Sequence, residues 1–180
     1  DDFKNNNSTL RLGSIFYRDQ GDDYIVRNFS LTENVNEIYN SVSAQSAAGG
    51  GDFPEAVHSA LEAAIEQQSW STSAITRIAF LILDAPPHYN SNVIDQIKNY
   101  TKLSAEKGIK IIPVSASGID KETEFLLRIL SISTNGTYTF ITDDSGIGND
   151  HLEATVGQYE VEYLNDLIVR LINKYSQRDE

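Results

Sequence analysis

The stretch ITRIAFLILDA at residues 75–85 decides the fold, because it is apolar at nearly every position and runs into Asp84 and a pair of prolines. A nearly continuous apolar run of this length is typical of a parallel β-strand that is buried on both faces. The run IKIIPVSAS at residues 109–117 has the same character. Together the two runs predict the centre of a parallel sheet.

The remaining segments place further strands and helices around these two runs. Alternation typical of strands appears twice near the start of the chain, and the short connection between the two segments suits a hairpin. Helical spacing then alternates with strands, which implies right-handed crossovers. The predicted fold is a single α/β domain with a doubly wound, mostly parallel sheet and one antiparallel edge strand. We predict strands over residues 10–17, 24–31, 75–85, 109–117 and 136–142, and helices over residues 32–44, 54–68, 92–106, 121–133 and 159–176.

The composition limits the classes of function. The 180 residues carry a formal net charge of −12 with a sequence pI near 4.6, which argues against nucleic acid and anionic membrane surfaces as partners. The charge permits a cation or a basic protein surface. No cysteine is present, so disulfides and thiolate metal sites are excluded. No apolar run approaches the roughly 18 residues of a membrane span, and we expect no membrane insertion.

Two loops carry the candidate metal ligands. Ligands of doubly wound sheets bind beyond the carboxyl ends of the strands, and this rule selects residues 49–55 and 84–90. Each loop presents one acidic residue at its tip, Asp52 and Asp84. Two carboxylates at that edge suit a hard divalent cation, and the glycines before Asp52 let the backbone approach the ion or its ligand. Capping of the following helix is the alternative role for Asp52.

Three motifs carry a resemblance to a known family: LRLGSIFYRDQGDD at residues 10–23, GGGDFPEAV at 49–57 and AFLILDAPPH at 79–88. In this order, across essentially the whole chain, they resemble the von Willebrand factor type A (vWA) domain in its bacterial form. The resemblance implies a metal-ion-dependent adhesion site that usually holds Mg²⁺, with Mn²⁺ or Ca²⁺ as alternatives. Asp84 matches the third ligand loop of that site, and Asp52 stands where the second loop usually offers a threonine.

The first ligand loop of that family, Asp-x-Ser-x-Ser after a central strand, has no counterpart in the sequence. In the family this strand lies between the strands predicted at residues 10–17 and 75–85, and a sheet without it leaves two buried ladders unpaired. We therefore expect an N-terminally truncated domain with about 30 to 40 further residues upstream, the usual size of a strand–helix unit. Another chain segment, a swapped strand or direct pairing of the two flanking strands are the alternative ways to fill the position.

Further polar residues surround the expected site. Gly50, Gly51, Phe53 and His88 are predicted to form its partner-binding rim, with loop packing as the alternative role for His88. The three histidines of the chain are far apart in sequence and share no ligand spacing, so a zinc site is not favoured.

A second polar cluster, Tyr17 to Asp19, begins at the last residue of the first predicted strand. We interpret it as structural, with an ion pair between Arg18 and either Asp19 or Asp22 that pins the hairpin. A contact with a partner is the alternative.

These features favour a non-enzymatic protein-binding or adhesion module that uses a divalent cation at the carboxyl edge of the sheet. An acidic side chain of a protein partner would fill the open coordination position. One alternative is a structural scaffold or interaction domain with an incomplete, metal-free site. A metal-assisted phosphohydrolase using Asp52, Asp84 and His88 is less favoured, because GGGD lacks the Lys and Ser/Thr of a phosphate-binding loop. The surface composition favours a secreted or cell-envelope location.

Overall fold

The computed structural model of the chain describes residues 9–47, 52–116, 118–141 and 161–177. It confirms the α/β class and the predicted order of elements, with two strands and two helices followed by strict alternation. The strands are β1 (Leu12–Tyr17), β2 (Val26–Thr32), β3 (Arg77–Leu83), β4 (Ile109–Ser115) and β5 (Thr139–Phe140). The helices are α1 (Val35–Ser43), α2 (Val57–Glu62), α3 (Ser91–Glu106), α4 (Lys121–Ser133) and α5 (Leu164–Ser176).

The strands form two separate sheets in the described part of the chain. β1 and β2 pair antiparallel, with a bulge near Gly13. β3, β4 and β5 pair parallel in that order, and the long β3–β4 register runs from Arg77 opposite Ile109 to Leu83 opposite Ser115. The predicted single sheet is therefore divided, and β1 is not paired directly with β3.

Two predicted boundaries shift for identifiable reasons. α2 begins at Val57 rather than at Pro54, because the N–H of Glu55 donates to the carbonyl of Pro86 at 2.9 Å and keeps the preceding loop extended. A π-helical turn, Ala63–Gln67, continues α2 to the predicted end of the helix. The last strand is much shorter than predicted, since only two residues of β5 pair with β4.

The core lies around the parallel sheet, with α3 and α4 packed on β4 and on each other, and with α2 packed on α3 and β1. β4 is buried along almost its whole length, as its apolar sequence predicts. The same prediction is wrong for β3, because Ile82 is 54% exposed. The physical reason is that β3 is an edge strand in the described structure, with β4 as its one neighbour. The buried apolar core includes Val57, Leu61, Ile65, Leu81, Leu83, Val93, Ile97, Ile109, Ile111, Leu127 and Leu130.

Side-chain caps fix the starts of the two helices that follow β3 and β4. Asn90 accepts a hydrogen bond from the N–H of Val93 at 3.0 Å, and Asp120 accepts one from the N–H of Thr123 at 2.7 Å. Both contacts satisfy N–H groups that a helix leaves unpaired in its first turn. None of the helices that the structure describes combines the length and the apolar character needed to cross a bilayer.

Two substitutions on α4 test where the core lies. Leu127 is 1% exposed and Ile132 is 75% exposed. We expect Leu127→Ala to lower the free energy of unfolding by about 2–5 kcal/mol, because it leaves a cavity in a packed core. Ile132→Ala is the control on the same helix and should change stability by less than about 1 kcal/mol. Urea denaturation followed by circular dichroism measures both values, and equal losses would contradict this placement of the core.

Candidate metal centre

Three loops meet at the carboxyl edge of β1 and β3. One follows β1, the second (residues 52–56) precedes α2, and the third (residues 84–90) follows β3. Glu55 joins the second loop to the third through its hydrogen bond to Pro86 and through a parallel bridge with Pro87. Side chains that are distant in sequence are thereby brought to one edge, which is where doubly wound folds bind ligands.

Asp19 and His88 connect the loop after β1 to the loop after β3. A carboxylate oxygen of Asp19 lies 2.7 Å from Nε2 of His88. The Asp19 side chain is largely buried and the imidazole is half-buried. The backbone N–H of Asp19 donates to Oδ2 of Asp22 at 3.3 Å, which stabilises the turn after β1. A carboxylate that contacts an imidazole in this way orients the ring and selects its tautomer.

Asp52 completes a group of three potential metal ligands with Asp19 and His88. One ligand atom from each residue lies within 4.8 Å of the others. An ion held at about 2.1 Å by each ligand atom needs those atoms within about 4.2 Å of one another. Side-chain movements that shift the ligand atoms by about half an ångström would bring them within this distance. Asp52 is exposed, which leaves the group open to solvent on one side.

The environment of Asp19 favours its charged form. Burial alone raises the pKa of this carboxyl, because desolvation disfavours the carboxylate. The hydrogen bond with His88, the backbone N–H of Gln20 and the charge of His88 together outweigh burial. The pKa of Asp19 therefore lies below its ordinary value of 3.8, and the group carries the negative charge that a cation requires.

Glu55 lies in the opposite kind of environment. Its Oε2 atom is buried and has no hydrogen-bond partner among the described residues. Burial raises the pKa of Glu55 most, and the negative charges of Asp19, Asp22, Asp84 and Asp52 raise it further. This edge of the molecule thus holds more negative charge than its own hydrogen bonds compensate.

Asp84 lies at the same edge but outside the group of three ligands. Asp84 is exposed. Burial is the largest cause that raises the pKa of Tyr17 and of Glu55, and the negative charge of Asp84 raises both further. The backbone carbonyl of Asp84 packs against Gly118, where an added Cβ would lie 2.3 Å from the carbonyl oxygen. Gly118 also has a φ of +97°, so this close approach requires glycine.

The capping role considered for Asp52 is not observed. The residue before α2 is Ala56, and no side chain caps that helix. Asp52 precedes Ala56 by four positions, and Glu55 between them is hydrogen-bonded to the third loop, so Asp52 does not reach the start of the helix. The carboxyl group of Asp52 lies next to Asp19 and His88 instead.

The predicted rim residues have different positions. His88 belongs to the three-residue group itself. Phe53 is 60% exposed and its ring lies close to Gly118 at the mouth of the site. Gly50 and Gly51 lie outside the described residues.

Asp19 is the potential ligand that sequence reasoning missed. The predicted ion pair of Arg18 with Asp19 or Asp22 is wrong, because Arg18 pairs with Asp23 at 3.8 Å and stacks on Tyr24. Asp19 is free to contact His88 as a result. The sequence does contain a signal for Asp19, because this residue lies two positions after the end of β1. Asp84 was selected by the same kind of argument, since it lies at the end of a predicted strand.

His58 is a buried imidazole near the group. Its Nδ1 atom is buried without a hydrogen-bond partner among the described residues. Burial lowers the pKa of His58, and the nearby His88 lowers it further, against the opposing charges of Glu62 and Asp19. Of the three histidines, His151 lies outside the described residues, and His88 is the one that joins the ligand group.

Comparisons with known proteins do not assign the chain to a family. No family model matches the sequence, and a search of curated proteins gives no match either.

Glu55 gives a pH-dependent prediction. A carboxyl whose folded pKa lies above its ordinary value of 4.5 destabilises the fold once it ionises. The contribution of the protonated Glu55 to the free energy of unfolding is therefore complete below pH 4.5. It is lost as the pH rises through the raised pKa of the folded protein. We expect Glu55→Gln to be more stable than the wild type at pH 7 and to differ little from it at pH 4.

Urea denaturation of both proteins at the two pH values measures this difference in stability. Glu106→Gln, on the exposed end of α3, is the matched control and should behave like the wild type at both pH values. A Glu55→Gln protein that is less stable than the wild type at pH 7 would contradict the electrostatic environment assigned to Glu55.

Proposed function

We propose that the chain is a protein-binding module that uses a divalent cation held by Asp19, Asp52 and His88. The observation that carries the proposal is the meeting of these three side chains, from three different loops, with ligand atoms within 4.8 Å of one another. The excess negative charge at Glu55 and Asp84 supports it, because a bound cation would offset that charge.

The ligand set indicates which cation to expect. Carboxylate oxygens suit Mg²⁺, Ca²⁺ and Mn²⁺, whereas an imidazole nitrogen suits transition-metal ions. Among the ions implied by the sequence resemblance, Mn²⁺ is the one that accepts both kinds of ligand well. We therefore expect Mn²⁺ to bind more tightly than Mg²⁺, with Ca²⁺ as the third candidate.

The proposed partner is a protein that presents an acidic side chain. Three protein ligands leave coordination positions open, and the exposed carboxyl of Asp52 places the group at the surface. The exposed ring of Phe53 beside it supports a protein contact, since aromatic residues are enriched in interfaces. A chain with a net charge of −12 would repel an acidic partner without the cation, so binding would depend on the metal.

This proposal agrees with the resemblance to a vWA domain and its adhesion site, and with a secreted or cell-envelope location of bacterial type. It assigns no catalytic role to Asp52, Asp84 or His88. The phosphohydrolase remains the less favoured alternative, because no described nucleophile or phosphate-binding loop accompanies the three-residue group.

A metal-free scaffold is the second candidate function, and one observation favours it. The contact of 2.7 Å between Asp19 and His88 is already a satisfied ion pair or hydrogen bond. In a metal-free scaffold, the sole role of this contact would be to tie the loop after β1 to the loop after β3. In that case the chain would bind partners through its surface without any cation.

Metal titration separates the two candidates. We expect the wild type to bind Mn²⁺ in isothermal titration calorimetry, and Asp52→Asn to bind it at least about tenfold more weakly, because a charged ligand is lost. Asp52 is exposed, so the variant should fold normally. Asp84→Ala should also weaken binding, since its charge lies at the same edge.

Asp95→Asn is the matched control, because Asp95 is an exposed residue of α3 that pairs with Lys98 away from the three loops. Its affinity for Mn²⁺ should equal that of the wild type. Absence of Mn²⁺ binding by the wild type, or an unchanged affinity in both Asp52→Asn and Asp84→Ala, would leave the metal-free scaffold as the better description.

A further inference from the structure

Helix α4 is apolar on its outer face as well as on the face that it buries. Leu127 and Leu130 are buried and belong to the apolar core. On the outer face, Phe125, Ile129 and Ile132 are 65%, 44% and 75% exposed. A surface helix usually carries polar residues opposite its buried face, whereas a helix that is apolar on both faces is usually covered on both. The outer face of α4 therefore has the character of a contact surface.

The three exposed side chains form one continuous surface, here named the α4 stripe. Ile129 follows Phe125 by four positions and precedes Ile132 by three. Residues at these spacings are neighbours on the surface of a helix. Helices that bind other helices use this same pattern of apolar anchors. The α4 stripe therefore presents a surface of about two helical turns that another helix can pack along.

The α4 stripe lies away from the space between the two sheets. α4 packs on β4 and on α3. The upstream strand expected from the sequence would lie between β1 and β3, on the side of β3 that is opposite to β4. Completion of the sheet by that strand would therefore leave the α4 stripe exposed.

The charge around the α4 stripe is balanced, unlike that of the chain as a whole. Residues 91–133, from the start of α3 to the end of α4, hold six Lys or Arg and five Asp or Glu. The whole chain has a net charge of −12, so its excess negative charge lies outside this segment. Two copies of the chain can therefore approach through this face with less repulsion than through the rest of the surface. Three ion pairs within the helices contribute to this balance: Asp95 with Lys98, Glu106 with Lys102, and Glu124 with Arg128.

The charged residues next to the α4 stripe do not favour a partner of either sign. Arg128 pairs with the buried Glu124 at 2.7 Å, and its guanidinium lies 4.5 Å from the centre of the Tyr138 ring. At the start of the helix, Lys121 and Glu122 carry opposite charges. The best-matched partner is therefore an apolar helical surface with balanced charge. A second copy of α4 is such a surface.

We propose that the α4 stripe forms a homodimer in which the α4 helices of two copies pack antiparallel about a two-fold axis at Ile129. Most homodimers have two-fold symmetry, so that one patch contacts its own equivalent. In the antiparallel arrangement, Ile129 of one copy lies against Ile129 of the other. Phe125 then lies against Ile132 at each end, since the two spacings correspond to about 6 and 4.5 Å along the helix.

The small size of the α4 stripe indicates a weak dimer. Three side chains cover much less than the roughly 800 Å² that each partner buries in a standard interface. The concentration dependence of NMR spectra of the 180-residue chain is a suitable measurement, from about 50 µM to about 1 mM, where weak dimers form. EDTA in the buffer excludes association through a cation at the candidate metal centre. We expect the rotational correlation time to rise with concentration, and the chemical shifts that change to lie on α4.

Substitution of one stripe residue by glutamate tests the contact. Ile132→Glu should weaken dimer formation at least about tenfold, because it places a charge in an apolar contact. Phe125→Glu, at the other end of the α4 stripe, should have the same effect. Tyr39→Glu is the matched control, because Tyr39 is 68% exposed on α1 and the variant carries the same added charge. It should dimerise like the wild type, and circular dichroism checks that each variant is folded.

A mixing experiment tests the position of the two-fold axis. Ile129→Glu and Ile129→Lys should each weaken the dimer when alone, and their equimolar mixture should restore it, because opposite charges then meet at the axis. A mixture of Ile132→Glu with Ile132→Lys should not restore it, since Ile132 faces Phe125 in the antiparallel arrangement.

Three results would overturn the proposal. One is a rotational correlation time of the wild type that stays constant over the whole range of concentration, which would leave the α4 stripe to another protein or to another segment of the chain. The second is an equal loss of association in Tyr39→Glu and in Ile132→Glu. The third is an absence of recovery in the mixture of the two Ile129 variants.

Discussion

Every buried backbone N–H and C=O group needs a partner, and this requirement organises the molecule around its two separate sheets. Where strands do not supply the partner, side chains do. The amide of Gln68 bonds the N–H of Leu31 at 2.8 Å and the carbonyl of Phe29 at 3.1 Å beside the bulge of the hairpin. The hydroxyl of Thr134 accepts the N–H of Ile111 at 3.0 Å. These contacts stabilise strand edges that a larger sheet would pair directly.

The acidic edge shows the opposite situation, in which polar groups are left incompletely satisfied. Glu55 fixes the loop before α2 through its backbone, yet a buried oxygen of its own carboxyl has no hydrogen-bond partner among the described residues. The residue that positions the loop is thus also one whose negative charge the surroundings disfavour. Such a conflict costs stability, and proteins retain conflicts of this kind mainly at functional sites.

Much of the architecture follows from the sequence, because apolar runs and helical spacing report directly on burial. The order of the elements was predictable, and so was β4, whose apolar run matches a strand buried along its length. β3 carries an equally apolar run but is partly exposed at Ile82. The apolar pattern of a strand indicates the environment in which the strand can be buried. The neighbours that are present depend on the rest of the sheet.

The candidate site was predictable only in part, for a related reason. Asp52 and His88 could be selected because each lies in a loop next to a recognisable motif. Asp19 could not be separated from its neighbours Arg18 and Asp22, because pairing between nearby charges is the simplest expectation from sequence. The choice of His88 as its partner depends on a contact across 69 positions of sequence, which only the fold determines.

The contact between the two sheets and the acidic group are connected by the direction of the strands. Because β1 and β3 both end beside Asp19 and His88, the contact between these two side chains ties the carboxyl ends of the two sheets together. The same edge holds Asp52 and Glu55, and the charges of Asp19 and Asp52 both raise the pKa of Glu55. The contact that joins the two sheets therefore also concentrates negative charge at one place.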